Sequence, residues 1–190
     1  MIRIVTIVVY VAFCVMSAGC VQVVGYEGDY KGRVIDAETG QPISGVVVLG
    51  VWWSKMPTPA GSTSHFHDAR ETVTDEKGNF ALSGKGIKIL SNVEPANISI
   101  YKAGCEYMEL GAWESLTYSK ILREKIKWEG DRAIIPVKKL TMEERRNTSG
   151  PPVPPIEAPL AKVRQMLREI NKDRVERGAD PISMWRGEKL

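Results

Sequence analysis

The sequence predicts an all-β fold, an antiparallel β-sandwich, on three observations. The stretch Thr72-Val73-Thr74-Asp75-Glu76-Lys77-Gly78-Asn79-Phe80 reads as a strand end, a tight turn and the start of a returning strand. Val73 and Phe80 are its apolar anchors. Asp75 is suited to bond backbone N–H groups further round the turn, and Gly78 to supply the positive φ that such turns often need. A second block, Lys31 to Val48, again reads strand, polar Asp/Thr/Gly turn, strand. Beyond both, strand-rich segments separated by Gly/Asp turns recur at the spacing of a sandwich.

With 190 residues, one domain plus appendages is expected, and an apolar fraction of 43% suffices for one packed core. The formal charge of +3 is spread over a mixed-sign chain, which argues against nucleic acid as a partner. Arg33-Val34-Ile35 is the first strand, and Asp36 to Gly40 turns. Val46 to Trp53 is a β-branched run read as a strand buried on much of both faces. Lys55 to Asp68, with Pro57, Pro59, Gly61 and several Ser/Thr, reads as a long surface loop, a kind of segment that is often functional. Glu71–Thr74 and Asn79–Leu82 read as a hairpin about the Asp75–Gly78 turn. Asn97 to Tyr101 alternates as a strand. Ile126–Trp128 and Ala133–Val137 suggest a last hairpin, with Pro136 suited to an edge or strand end. Leu110 to Leu122 reads as either a short helix or a loop.

The two ends are of different character. Residues 1–19 read as a signal peptide: Arg3 is a minimal positive region, and Ile4 to Met16 is an apolar run too short for the ~20 residues that a membrane span needs. The exit Met16-Ser17-Ala18-Gly19-Cys20 resembles the lipobox of bacterial lipoproteins, with Ser17 where Leu is usual. The resemblance implies an acylated Cys20 and a lipid-anchored cell-envelope protein. Resemblance to enterobacterial lipoproteins links Asp after the cysteine to inner-membrane retention, so Val21 implies the outer membrane in a two-membrane cell. The alternative is ordinary cleavage after Ala18 or Gly19, leaving a free thiol. With Cys20 acylated, Cys105 has no partner in the mature chain, which excludes a disulfide framework; Cys105 reads as a small buried apolar residue. Residues 20–29 read as a short tether. Residues 141–159 read as a charged and Pro-rich linker, with Gly150 to Pro155 PPII-like. Leu160, Val163, Met166, Leu167, Ile170 and Val175 recur at helical spacing, placing an amphipathic helix over 160–178 and a tail over 179–190. That helix either packs on the sandwich, binds a partner or adheres to anionic lipid.

The blocks GRVIDAETGQPISGVVV and TVTDEKGNFAL resemble the carboxypeptidase regulatory-like domain. Gly32, Val34, Asp36, Thr39, Gly40, Pro42, Ile43, Gly45, Val46 and Val48 match its first motif, and Thr74, Asp75, Gly78 and Phe80 its second. Ile98 to Gly104 match a third, with Cys105 where Tyr or Phe is usual; the 55–68 insertion is a further departure. The resemblance implies a transthyretin-like sandwich of about seven strands over residues 30–140. It is poor for function, because such modules are appended to many proteins in which they catalyse nothing.

Chemistry has few candidates. His65 and His67, the only histidines, alternate on an extended segment and so could grip one ion, but no third ligand is evident. In the intradiol dioxygenases, relatives by fold, an H-x-H pair follows the T-D-x-x-G-x-F segment; here it precedes it. Patterns for a nucleophile elbow, zincin, P-loop or dinucleotide site are absent. Trp52 and Trp53 face opposite ways on a strand, so at most one belongs to the core of a simple sandwich. The other is either covered by the loop or an exposed stacking platform for a sugar or peptide. These readings combine into a lipid-anchored envelope protein with a non-catalytic binding or structural module, needing no cofactor. Its partners are the membrane through Cys20 and an envelope protein or glycan. The alternatives are a carbohydrate-binding module built on Trp52 or Trp53, and a metal-dependent enzyme using His65 and His67.

Overall fold

The computed structural model describes residues 22–113, 124–185 and 187–189. The signal segment, Cys20 and most of Leu110–Leu122 lie outside these residues. The strands are β1 (Gln22–Glu27), β2 (Tyr30–Asp36), β3 (Val47–Thr58), β4 (Gly61–Val73), β5 (Asn79–Leu82), β6 (Gly86–Ser91), β7 (Asn97–Tyr101), β8 (Met108–Ala112), β9 (Lys127–Glu129), β10 (Arg132–Val137), β11 (Met184–Trp185) and β12 (Glu188–Lys189). Among the described residues the helices include α1 (Met142–Asn147) and α2 (Arg164–Glu176), with a 3-10 turn at Leu160–Lys162 before α2.

The fold is all-β and sandwich-like. One sheet has the order β5-β2-β10-β9 and the other β4-β3-β7-β8; β1 pairs with β6, and β11 with β12. Pairing is antiparallel except between β2 and β10, which run parallel. β2 alternates buried and half-buried residues along its length, as expected of a strand with one face on a core. The core between the sheets joins Val34, Phe80, Leu82, Ala133 and Ile135 to Val46, Val48, Trp52, Ile98 and Ile100. Cys105 is buried at its margin, and burial pushes its thiol pKa up.

Several segments differ from the sequence reading. Lys55–Asp68 is no loop: it is the far half of a long β3–β4 hairpin, paired continuously from Trp53–Phe66 to Thr58–Gly61. Its solvent-exposed tip carries no burial alternation, so Pro57, Pro59 and the Ser/Thr content pointed to a loop. The Asp75–Gly78 turn does not close a hairpin either. β4 pairs with β3 while β5 pairs with β2, so the turn is a corner where the chain changes sheets. The presumed tether contains β1, and the last hairpin is β9–β10. Pro136 stands past Ile134, where the β9 ladder ends, a place that tolerates a missing N–H.

The corner also joins the two sequence blocks. Thr74 is buried; its Oγ1 accepts from the Val46 N–H (2.9 Å) and donates to the Ile43 carbonyl (2.8 Å). The Val34 N–H donates to the Gly78 carbonyl (2.8 Å). Asp75 Oδ1 accepts from the N–H groups of Lys77 (2.9 Å) and Asn79 (2.8 Å).

The C-terminal region is packed on the sandwich. Because β3 is covered on both sides, Val47, Leu49 and Val51 point away from the inter-sheet core into a second one with Leu160, Val163, Met166, Leu167 and Ile170. The α2 stripe at i, i+3, i+4 spacing therefore meets its own sheet. Its N-terminus has no cap in its own sequence. Glu71 of β4 supplies one, accepting from the N–H groups of Gln165 (2.9 Å) and Met166 (2.7 Å). The stretch read as a linker contains α1, opened by a Thr141–Glu144 capping box. Arg145 of α1 is buried against Asp173 of α2, its Nε 2.9 Å from Oδ1. The tail is docked as well: Trp185 is buried and donates through Nε1 to the Ala158 carbonyl (2.9 Å).

Gly78 has φ +74°, and a Cβ there would stand 2.4 Å from the Val34 carbonyl oxygen. Gly78→Val is therefore expected to cost about 2 kcal/mol or more, from the left-handed conformation and the clash together. Thermal unfolding followed by circular dichroism should show a midpoint lower by about 5 °C or more; an unchanged midpoint would mean that the corner is not built this way.

Candidate functional site

The outer face of the second sheet is not fully covered by α2, and what it leaves open is the candidate site. Strand periodicity brings one row of side chains to this face. Leu49 stands opposite Ser99, which stands opposite Glu109, and Val51 stands opposite Asn97. Trp53 continues the β3 row and Tyr107 the β8 row. Together with Val153, Pro154 and Pro155 of the Pro-rich segment they bound a cleft of about 150 Å³. Trp53 is half-buried, and its ring meets Phe66 edge-on at 6.2 Å. Tyr107 packs edge-on against Tyr101 at 6.3 Å. Burial raises the Tyr107 phenol pKa, with the Ser99 hydroxyl pulling the other way. Asn97 and Glu109 are exposed at the rim. Aromatic faces beside amide, hydroxyl and carboxylate groups suit a ligand with both apolar and hydrogen-bonding surface.

Trp52 does not belong to this cleft. A bulge in the β3–β4 ladder sets Asp68 opposite Trp52 and Phe66 opposite Trp53, leaving His67 as the extra residue. Trp52 is 0% exposed in the inter-sheet core, which removes it as a stacking platform. Its Nε1 donates to Glu27 Oε1 at 2.6 Å. Glu27, also buried, accepts on the same oxygen from the Tyr30 hydroxyl and the Ala96 N–H (3.3 Å). Lys88 Nζ stands 3.2 Å from Oε2, within ion-pair range but not aligned for a hydrogen bond. Burial works against ionisation of Glu27, but the Tyr30, Trp52 and Lys88 contacts outweigh it and lower its pKa.

The two histidines lie on the exposed part of β4. His65 Nε2 is 3.1 Å from Thr63 Oγ1. His67 is held below its ordinary pKa, first by partial desolvation and then by Lys85 and Lys162, with Asp68 opposing. The neighbouring Asp68 is buried and takes up both lysines as ion pairs, with Arg70 Nε at 3.6 Å. Lys85 and Arg70 also stand 5.0 and 5.3 Å from the Trp52 ring centre. Three cations around one carboxylate repel a divalent metal. Among the described residues, no group of three or more His, Cys, Asp or Glu side chains converges as a metal site.

No family model, curated protein or solved structure matches this chain. The site therefore rests on its own geometry.

Sequence reasoning singled out Trp53 but missed Tyr107, Asn97, Ser99 and Glu109. The alternation Asn97-Ile98-Ser99-Ile100 did mark Asn97 and Ser99 as outward-facing. What it lacked was the register that sets them beside Trp53 and Glu109.

Calorimetric titration of the full chain with Zn²⁺ should reveal no submicromolar site, and His65→Ala should leave the isotherm unchanged, since closed zinc sites take four protein ligands. Burial raises the Asp68 carboxyl, but Lys162 and Lys85 overcome it and hold it at about 2 against an ordinary 3.8. A carboxyl lowered in the folded state stabilises the fold above its unfolded pKa and loses that contribution as pH falls through the folded value. Urea unfolding should therefore show Asp68→Asn less stable than wild type at neutral pH, with the gap narrowing between about pH 4 and pH 2.

Proposed function

We propose that this chain is a lipid-anchored cell-envelope protein whose sandwich binds rather than catalyses. Its Trp53–Tyr107 cleft is the contact surface for a glycan strand. The observation that carries the reading is the row Trp53, Asn97, Ser99, Tyr107 and Glu109 on one open sheet face. Polyhydroxylated rings present an apolar C–H face and a hydroxyl rim, and the cleft offers an aromatic face and polar side chains in the same order. At about 150 Å³ the cleft is smaller than the ~300–1,000 Å³ pockets that enclose a whole ligand. It fits one ring of a chain laid across the surface.

The membrane anchor rests on the lipobox resemblance about Cys20, and the outer membrane is favoured by the residue after it. We read the sandwich itself as a carboxypeptidase regulatory-like module. The mutual hydrogen bonds of the two motif blocks, through Thr74 and Gly78, support that reading. The metal-enzyme alternative loses ground because His65 and His67 sit beside Lys85 and Lys162 rather than among further donors.

Binding to soluble envelope-polysaccharide fragments tests the cleft. Trp53→Ala should weaken it about tenfold, the equivalent of the ~1.4 kcal/mol that one aromatic contact can contribute. Trp128→Ala, at an exposed tryptophan on the other sheet, should leave it unchanged. Equal affinity of wild type and Trp53→Ala would refute the cleft as the site. For the anchor, Cys20→Ala should move the protein from the membrane fraction to a soluble or signal-retained form. An unmodified mature N-terminus by mass spectrometry would refute lipidation.

A further inference from the structure

The β1–β6 ribbon has two unlike faces. Toward the sandwich it turns the buried Gly25 and Glu27, with Lys88. Outward it turns Val24, Tyr26, Ile87 and Ile89, which are 65, 77, 71 and 68% exposed. Val24 stands directly opposite Ile89, and Tyr26 opposite Ile87, so the four form one continuous apolar patch. A soluble protein seldom leaves such a patch bare without a use for it.

The patch lies at a particular place in the chain. Only residues 21–23 separate Val24 from Cys20, and at about 3.3 Å per residue the two α-carbons are at most about 13 Å apart. The headgroup layer on each side of a bilayer is on the order of 5–8 Å deep. An acyl group on Cys20 would therefore keep the start of this ribbon within reach of the lipid surface. Four side chains fall short of the roughly 20–30 residues a side that a stable protein interface employs. For a bilayer they are enough, because the anchor already supplies the local concentration. Tyr26 has the apolar ring and polar tip of the residues that settle at membrane–water boundaries.

We infer that the outer face of the β1–β6 ribbon lies on the membrane, with Val24, Tyr26, Ile87 and Ile89 seated at the lipid headgroup level. This orientation rests on the lipid-anchor reading above. It sets the sandwich at a defined tilt, with the Asp75–Gly78 corner away from the lipid. That corner meets β2 at its Val34 end, whereas the ribbon adjoins the Tyr30–Leu82 end through Gly28 and Gly84.

The test uses the mature full chain in phosphatidylethanolamine/phosphatidylglycerol vesicles, with acylation checked by intact mass. Nitroxide labels are placed at Tyr26→Cys, Ile87→Cys and, as an aqueous reference, Glu76→Cys. The native Cys105 is buried and escapes labelling. Power saturation should show oxygen favoured over a water-soluble nickel chelate at positions 26 and 87, and the reverse at 76. Nickel accessibility at 26 and 87 equal to that at 76, in a protein of confirmed acyl mass, overturns the orientation while leaving the anchor intact. Absence of the acyl mass overturns both. Sedimentation of the Cys20→Ala chain gives a second, independent reading. Dimerisation that Tyr26→Ser and Ile87→Ser abolish would assign the patch to a second copy and overturn the proposal; a monomer agrees with it.

Discussion

The approach of Gly78 to the Val34 carbonyl is the contact on which the sandwich is assembled. It brings the β4–β5 corner so close to β2 that a side chain at that point has no room. In return, Val34 donates to the Gly78 carbonyl while Thr74 bonds to both Val46 and Ile43. Two segments some forty residues apart are thereby fixed to each other before any core packing is counted. β2 and β5 belong to one sheet, β3 and β4 to the other. The corner thus sets the sheets' mutual placement, and with it which residues of β3 face inward.

The second face of β3 is where the fold departs from a plain sandwich. Leu49 and Val51 are covered by α2, whose helical stripe packs on part of the outer sheet. The buried Arg145–Asp173 pair ties α1 to that helix, and Trp185 ties down the tail. The part about Trp53, Asn97, Ser99, Tyr107 and Glu109 stays open and forms the cleft. Its shape is thus set by the C-terminal region as much as by the strands that line it.

Much of this was legible in the residues. β7 carries clean alternation, β3 carries a β-branched run, and the last hairpin was read where β9 and β10 pair. The helix stripe from Leu160 to Ile170 gave the packing face of α2. The β3–β4 hairpin was not legible, because its distal half has no buried face to impose a period on the sequence, and Pro57, Pro59 and Gly61 are as much at home in a loop. The corner was mistaken for a hairpin because a turn motif fixes only its own few residues. Which strand each arm then pairs with is decided by distant partners. The same limit applied to the cleft: Asn97 and Ser99 lay on an identifiable strand, but Glu109 stands on β8, which the sequence did not mark, and the adjacency of all three depends on register.

The cap on α2 bears on the order of assembly. A helix of 13 residues is marginal alone in water. This one begins with Arg164, carries no acidic residue in its first turn and relies on Glu71 for its leading N–H groups, so the end that favours negative charge receives it from another element. A stable α2 therefore depends on β4 being in place. On a chain that emerges N-terminus first, the sandwich acts as template for its own C-terminal cover. The cleft, one wall of which is the Pro-rich segment leading into that helix, depends in turn on that cover being in place.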